Sequence, residues 1–377
     1  MERQRLPSLD FFRGATVIAM ITVNNPGSWK SVYAPLQHAE WHGCTPTDLI
    51  FPFFLFIVGV SIHFAYRDKR PAGLSRKIIM KVLRRTLIIF ALGILLAWFT
   101  LPISGMVNPE RLATLRIPGV LQRISIVFFC CSLLYMTTGW LAQLRFAALL
   151  LLGYYLLMTL VPVPGFGPSN LEPASNLAAW TDRLVLGNHL WSQTKTWDPE
   201  GVLSTMTAVA TGILGLLTGQ FMDKIENTSD RVSWLFFSGM VLIVAGLAWD
   251  MAFPINKSLW TSSYVLYTGG WAIQALAASH WIIDVHRRRS WTKPFLYFGM
   301  NAIFAFVASG LAAKVLLRTR WMTADGTEES LWSFLYLNLF ASWMEPHLGS
   351  LCFALTLVLL LGGLLRWMYH RKWFIKV

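Results

Sequence analysis

Apolar residues fall along this chain in long runs separated by short polar segments. Runs close to the roughly 20 residues needed to cross about 30 Å of hydrocarbon recur at 8–25, 47–65, 82–101, 118–137, 146–161, 201–222, 232–250, 263–284, 294–317 and 347–369. The pattern predicts an all-α fold, a polytopic integral membrane bundle of about ten transmembrane helices. The stretch 331–345 is shorter and carries Trp332, Trp343 and Glu345, so it is expected to lie in the interface or re-enter the bundle. No internal repeat, low-complexity tract or appended soluble domain interrupts the series. A single transmembrane domain over 1–377 is expected, with long outward loops at 26–46 and 162–200.

Composition agrees with that reading. The 377 residues are 55% hydrophobic and 14% charged, and the mean hydropathy is +0.51, too apolar for a soluble domain that must cover its own core. The first run is expected to persist as a helix rather than act as a cleaved leader, because Asp10 and Arg13 interrupt it and no small-residue cleavage site follows.

The net charge of +13 changes the picture only once the charges are placed. Ten spans put both termini on one side, where loops, tails and span ends carry 21 Lys and Arg, against nine on the other side, with Arg13 and Arg123 left inside spans. The positive-inside rule then predicts cytoplasmic termini and a lipid bilayer, not nucleic acid, as the partner of this charge. The expected location is a membrane crossed many times, with the outward loops facing the periplasm or exterior. Of the four cysteines, Cys130, Cys131 and Cys352 fall within apolar runs and Cys44 in a loop, which suits neither a disulfide framework nor a metal site.

Charged groups inside a span are costly, so each needs a partner or a purpose. Asp10 and Arg13 share one helix face at i,i+3, which allows an ion pair. Alternatively Arg13 helps Arg84, Arg85 and Arg287–Arg289 hold an anionic cofactor. Arg123, one turn inside the fourth span, calls for a carboxylate, a carbonyl cluster or a ligand phosphate. The densest polar constellation joins the first two spans: Asn24 and Asn25, then His38, Glu40, Trp41 and His42, then Asp48. Helix ends and caps account for Asn24, Asn25, Thr45 and Thr47. Two histidines beside carboxylates are the natural candidates for proton transfer near neutral pH, with a carboxylate fixing the imidazole tautomer. Asp198-Pro199-Glu200-Gly201 reads as a turn and cap. Most of the 18 tryptophans read as interfacial belts, with Trp29, Trp41 and Trp260 as candidates for stacking on a sugar ring.

Several of these segments together resemble the heparan-alpha-glucosaminide N-acetyltransferase family. They are Ser8-Leu9-Asp10-Phe11-Phe12-Arg13-Gly14, His38-Ala39-Glu40-Trp41-His42-Gly43, Asp48-Leu49-Ile50-Phe51-Pro52 and Arg116 to Arg123, followed by Asp198-Pro199-Glu200-Gly201-Val202-Leu203, Asn256-Lys257-Ser258-Leu259-Trp260 and Gly299-Met300-Asn301. The resemblance implies transfer of an acetyl group from cytoplasmic acetyl-CoA to the amine of a glucosamine-type sugar or glycan across the membrane, by a chain that forms a homodimer. It puts the catalytic histidine on His38 and the motif asparagine on Asn24, with Asn25 open as a substitute. His42 stands where the lysosomal enzyme's loop has an asparagine, so either imidazole is open as the one that meets substrate. On this reading Asp48 orients an imidazole, Arg13, Arg84, Arg85 and Arg123 hold acetyl-CoA, and Trp41, His42, Asn256 and Lys257 bind the acceptor; no metal is required. Two rival readings remain from other classes: an amino-sugar transporter, and an envelope polysaccharide O-acetyltransferase that shares the short Asp-x-x-Arg-Gly element.

Overall fold

The computed structural model describes residues 6–99, 112–323 and 326–375. Residues 100 and 101 of the third expected span lie outside the described residues, as do Arg3, Arg5, Arg111 and Lys376 of the charge count. Helices dominate. In chain order they are α1 (Pro7–Asn24), α2 (Ile50–Tyr66), α3 (Arg76–Trp98), α4 (Val120–Thr137), α5 (Trp140–Leu160), the short α6 (Leu177–Leu186) and α7 (Thr205–Lys224). They continue with α8 (Thr228–Asp250), α9 (Ser262–His280), α10 (Lys293–Met300), α11 (Ala302–Arg318), α12 (Leu331–Tyr336) and α13 (Pro346–His370). A two-stranded hairpin, β1 (Arg320–Met322) with β2 (Glu328–Ser330), follows α11.

Among the described residues, six helices are long and apolar enough to cross a membrane: α2 with its flanking turns, α4, α5, α7, α8 and α13. Helices α10 and α11 make a seventh if taken together, although they meet at 84°. The other three expected spans form α1, α3 and α9, of 18, 23 and 19 residues. The all-α expectation therefore holds, and a helix fills most of every apolar run where it is described.

The ninth run departs from a straight span for a local reason. Asn301 sits at the break with φ −123°, and its side chain donates to Trp373 O (3.2 Å) and accepts from Ile375 N (2.9 Å). The chain's last described turn is thus pinned into the bend. Helix α1 crosses so closely here that a Cβ added at Gly299 would stand 2.1 Å from Asp10 O, and one at Gly14 1.8 Å from Phe295 O. Within 331–345, α12 runs into a π-helical turn at Leu337–Ala341, and the apolar helix of Leu331–Ala341 is too short to cross a bilayer.

Helix α7 is the centre of the bundle, with most of its length buried, whereas α5 and α8 leave most of theirs exposed. Small residues make that centre possible. In α7 the glycines let backbones touch: a Cβ on Gly215 would come within 2.0 Å of Phe56 O, and one on Gly59 of α2 within 1.9 Å of Gly212 O. Close approach through small residues supplies dispersion contact where lipid offers no hydrophobic drive for association. At one end of the α2–α7 seam, His63 bridges Tyr135 (2.9 Å) and Asp223 (3.2 Å), and Arg67 also binds Asp223 at 2.5 Å. This end is rich in arginine; the opposite end carries the His38 loop.

Gly215→Leu is expected to force α2 and α7 apart and cost about 1–3 kcal/mol, lowering the thermal midpoint of the detergent-solubilised protein. The same change at Gly153, where an added Cβ meets nothing within 4 Å, should leave the midpoint unchanged.

Candidate active site

The loop between α1 and α2 is built around one carboxylate. Thr45 and Asp48 form a capping box at the 3-10 turn Pro46–Leu49 that leads into α2, a pairing that satisfies orphan N–H groups at a helix start. Asp48 is fully buried. Its Oδ2 accepts from Ala39 N (3.0 Å), Thr45 N (3.0 Å) and Thr45 Oγ1 (3.1 Å). Its Oδ1 lies 2.7 Å from His38 Nδ1 and 3.3 Å from Lys257 Nζ. The backbone carbonyl of the same residue accepts from Tyr264 Oη at 2.6 Å. Ionised carboxylates take several donors at once, and Asp48 uses them to fold its loop back on itself.

His38 is the open member of the group, its side chain 51% exposed against 1% for Asp48. With Nδ1–H donating to Asp48, Nε2 keeps a lone pair directed away from the carboxylate, the tautomer that a base needs. Lys257 Nζ stands 2.9 Å from Nδ1 and 3.3 Å from Nε2. Desolvation by burial holds the Lys257 ammonium below its ordinary pKa, while the charge of Asp48 supports it. Burial likewise pushes the neighbouring Cys44 thiol up to about 12, so it is no thiolate nucleophile near neutral pH.

Lys257 arrives from the turn between α8 and α9. That turn is joined to the His38 loop by Gly43 N to Ile255 O (2.7 Å). Asn256 is buried: its Oδ1 accepts from Leu259 N (2.8 Å), its N–H donates to Thr261 Oγ1 (3.0 Å), and its Nδ2 lies 3.4 Å from His42 Nδ1. Trp41 Nε1 donates to Leu171 O (3.0 Å), and its ring meets the edge of Trp197 at 5.2 Å. The two long loops thereby close over one surface. Trp260, one of the expected stacking residues, is instead core. It is buried at φ +52° between Phe51 and Tyr264, with Arg123 5.0 Å from its ring centre.

The motif asparagines divide by environment. Asn24 is exposed at the end of α1, while Asn25 is buried and donates to Ile21 O at 2.7 Å. The four arginines also separate. Arg13 pairs with Asp10 (3.0 Å), as the i,i+3 spacing suggests, and also donates to Ser61 Oγ (2.8 Å) and Gly299 O (3.4 Å). Arg85 points into the same interior: it packs 4.6 Å over Phe128, interacts electrostatically with Arg13 and Tyr66, and its buried Nε has no hydrogen-bond partner among the described residues. Two close cations with a spare donor fit an anionic group. Arg84, about 100° further round α3, instead faces a surface groove with Met80, Lys81 and Leu87. Arg123 belongs to the opposite end. Its Nη2 donates to Ser204 Oγ (2.5 Å) and Gly201 O (3.1 Å), and its buried Nε and Nη1 have no partner among the described residues.

A second acidic cluster, read from sequence only as a turn and cap, supports this end. Arg116 binds both oxygens of Asp198 (2.8 and 2.6 Å) and also Glu200. Asp182 of α6, which carried no signal in sequence, accepts from the backbone N–H groups of Asp198 (3.2 Å) and Val202 (2.8 Å). Two acids flanking a proline between long apolar runs would have been the cue for Arg116. The capping-box spacing of Thr45 and Asp48 would have been the cue for the buried carboxylate.

Comparison with known proteins bears on this arrangement. Residues 5–178 match the family described as "Heparan-alpha-glucosaminide N-acetyltransferase, catalytic". The chain resembles the heparan-alpha-glucosaminide N-acetyltransferases over most of its length. It is 29% identical to the Mus musculus protein of that name over 90% of this chain and 58% of the relative. For the Homo sapiens protein the figures are 30%, 80% and 52%. The chain thus spans about half the length of the curated relatives it matches. The acetyltransferase-matching segment contains His38, Asp48 and Arg13, while Asn256 and Lys257 lie beyond it.

Burial pushes the Asp182 carboxyl up to about 6, above the ordinary value near 3.9. A group whose folded pKa is raised contributes its full stability below about pH 4, and loses it as pH rises through about 6. The thermal midpoint should therefore carry a downward slope between these values from this residue. Asp182→Asn is expected to remove that component in a pH series of melts.

Proposed function

We propose that this chain is a transmembrane acetyltransferase that moves an acetyl group from acetyl-CoA, supplied at the arginine-rich end, to the amine of a glucosamine-type sugar at the His38 end. On this reading the whole of 1–377 works as one membrane domain of about ten spans with both termini in the cytoplasm. The arginine-rich end faces a bacterial cytoplasm and the His38 end the periplasm. A homodimer is the assembly that the family likeness implies. The observation that carries the reading is the buried Asp48 carboxylate, which fixes His38 in the base tautomer at a partly open surface.

His38 Nε2 takes a proton from the sugar ammonium, and the freed amine lone pair attacks the thioester carbonyl. Asp48 holds the ring and stabilises the imidazolium as it forms. The amide side chain of Asn24 donates to the developing oxyanion. When the intermediate collapses, the C–S bond breaks and CoA leaves as its thiol, so the balance is ammonium plus thioester giving amide, thiol and one proton. Arg13 and Arg85 hold the phosphates of the donor with charge-assisted bonds, and Arg84 adds positive field at the mouth. Arg123, at the other end with two donors to spare, meets the acyl end of the same molecule. Trp41, His42, Asn256 and Lys257 line the acceptor surface.

Purified protein supplied with labelled acetyl-CoA and glucosamine should yield N-acetylglucosamine. His38→Ala is expected to lower that rate by about 10²–10⁴-fold in a protein that still folds but melts earlier, because Asp48 loses one of its donors. An alanine variant that retains full rate would remove His38 from the mechanism. Asp48→Asn should lose a comparable factor and also melt earlier, because a neutral amide cannot satisfy the three donors that meet Oδ2. Uptake of sugar without acetyl-CoA would instead identify a transporter, and acetylation only of an amine-free glycan would identify the O-acetyltransferase reading.

A further inference from the structure

The acceptor surface already contains an amine. Lys257 Nζ lies 3.3 Å from His38 Nε2, 2.9 Å from Nδ1 and 3.3 Å from Asp48 Oδ1. With Nδ1–H given to Asp48, the 3.3 Å approach to Nε2 is the contact through which an ammonium gives up its proton to the imidazole, with Asp48 Oδ1 as its counter-charge. The side chain is 23% exposed, so it is neither sealed in the core nor free to swing as a surface lysine does. Its backbone is held at its own carbonyl, which accepts from Trp260 N (3.1 Å), and at the two residues before it. Asn256 N–H binds Thr261 Oγ1, and Gly43 N–H binds Ile255 O, which tie the turn to α9 and to the His38 loop. Effective concentrations rise steeply when a reactive group is held this close to its base.

We propose that Lys257 is itself an acetyl acceptor, its ammonium occupying the place of the sugar amine, so that the donor-loaded protein without sugar acetylates its own Lys257. The inference rests on the acetyltransferase reading above. His38 Nε2 takes one proton from Nζ, the nitrogen lone pair forms an N–C bond to the thioester carbonyl carbon, the C–S bond breaks, and CoA leaves as the thiol. The net change is lysine ammonium plus acetyl-CoA to acetyl-lysine, CoA thiol and one proton, which His38 passes to solvent. Desolvation of the ammonium favours loss of that proton. The product amide is stable and does not pass the acetyl group on. It removes the positive charge beside Asp48 and places an acetamide where the acceptor enters, so self-modification acts as a brake that a bound acceptor prevents.

The test uses the full-length protein in detergent with deuterated acetyl-CoA, followed by peptide mass spectrometry. Without sugar, the label should appear on Lys257 at least about tenfold faster than on exposed Lys30. It should vanish in His38→Ala and His38→Gln, leave no acetylated residue at this position in Lys257→Arg, and fall when glucosamine is present in excess. Four outcomes are possible. Labelled Lys257 with acetylated glucosamine supports both readings, and labelled Lys257 without it keeps this inference while overturning the sugar assignment. Acetylated glucosamine with Lys257 unlabelled, labelled no faster than Lys30, or labelled equally without His38 overturns this inference alone. Neither product overturns both.

Discussion

The candidate site depends on a carboxylate that is kept out of water. Burying an ion without compensation costs several kcal/mol, and Asp48 is compensated from three directions: its own loop through Ala39 and Thr45, the imidazole of His38, and Lys257 from the turn before α9. His38, Ala39 and Thr45 belong to the one loop and Lys257 to the turn before α9, so the requirement to satisfy one anion folds the loop and draws that turn onto it. Tyr264 adds a fourth tie through the Asp48 carbonyl. The orientation of His38 is consequently set by its own loop together with the elements that pack on it, the Lys257 turn and α9.

The opposite end is organised around cations. Arg13 is neutralised by Asp10 and fixed by Ser61, Arg67 by Asp223, while Arg85 rests on Phe128 with a donor left over. Polar groups at depth are expensive, and in this chain they gather toward the two ends of the bundle. Between them, the glycine contacts of α2 with α7 bring backbones together, and those of α1 with α10 do so at the Asp10–Arg13 end. The physical consequence is a molecule with an anion-centred end and a cation-centred end. The proposed donor, highly anionic, and the proposed acceptor, cationic at its amine, match those two ends.

Arg116 shows how the second long loop contributes. A guanidinium binding Asp198 through two bonds, with Glu200 alongside, fixes the segment that precedes α7, and Asp182 holds the same segment through its backbone. Arg123 then donates to Gly201 and Ser204 from within the bundle. Loop and helix are therefore rigid against each other close to the His38 surface, the condition for placing reacting groups to within a fraction of an ångström.

Much of this was legible in one dimension, because hydropathy and spacing within a helix report on that helix and its solvent. The runs of apolar residues located the helices, the i,i+3 spacing of Asp10 and Arg13 anticipated their pair, and the polar loop singled out His38 beside Asp48. Contacts made across the bundle were not legible. Adjacent Arg84 and Arg85 face different sides of α3, Trp260 is core rather than platform, and the ninth run bends at Asn301. Those outcomes turn on the rotation and crossing of helices. Both are set by where glycines permit backbone contact and by which distant donors a buried charge must recruit, and neither leaves a period in the sequence.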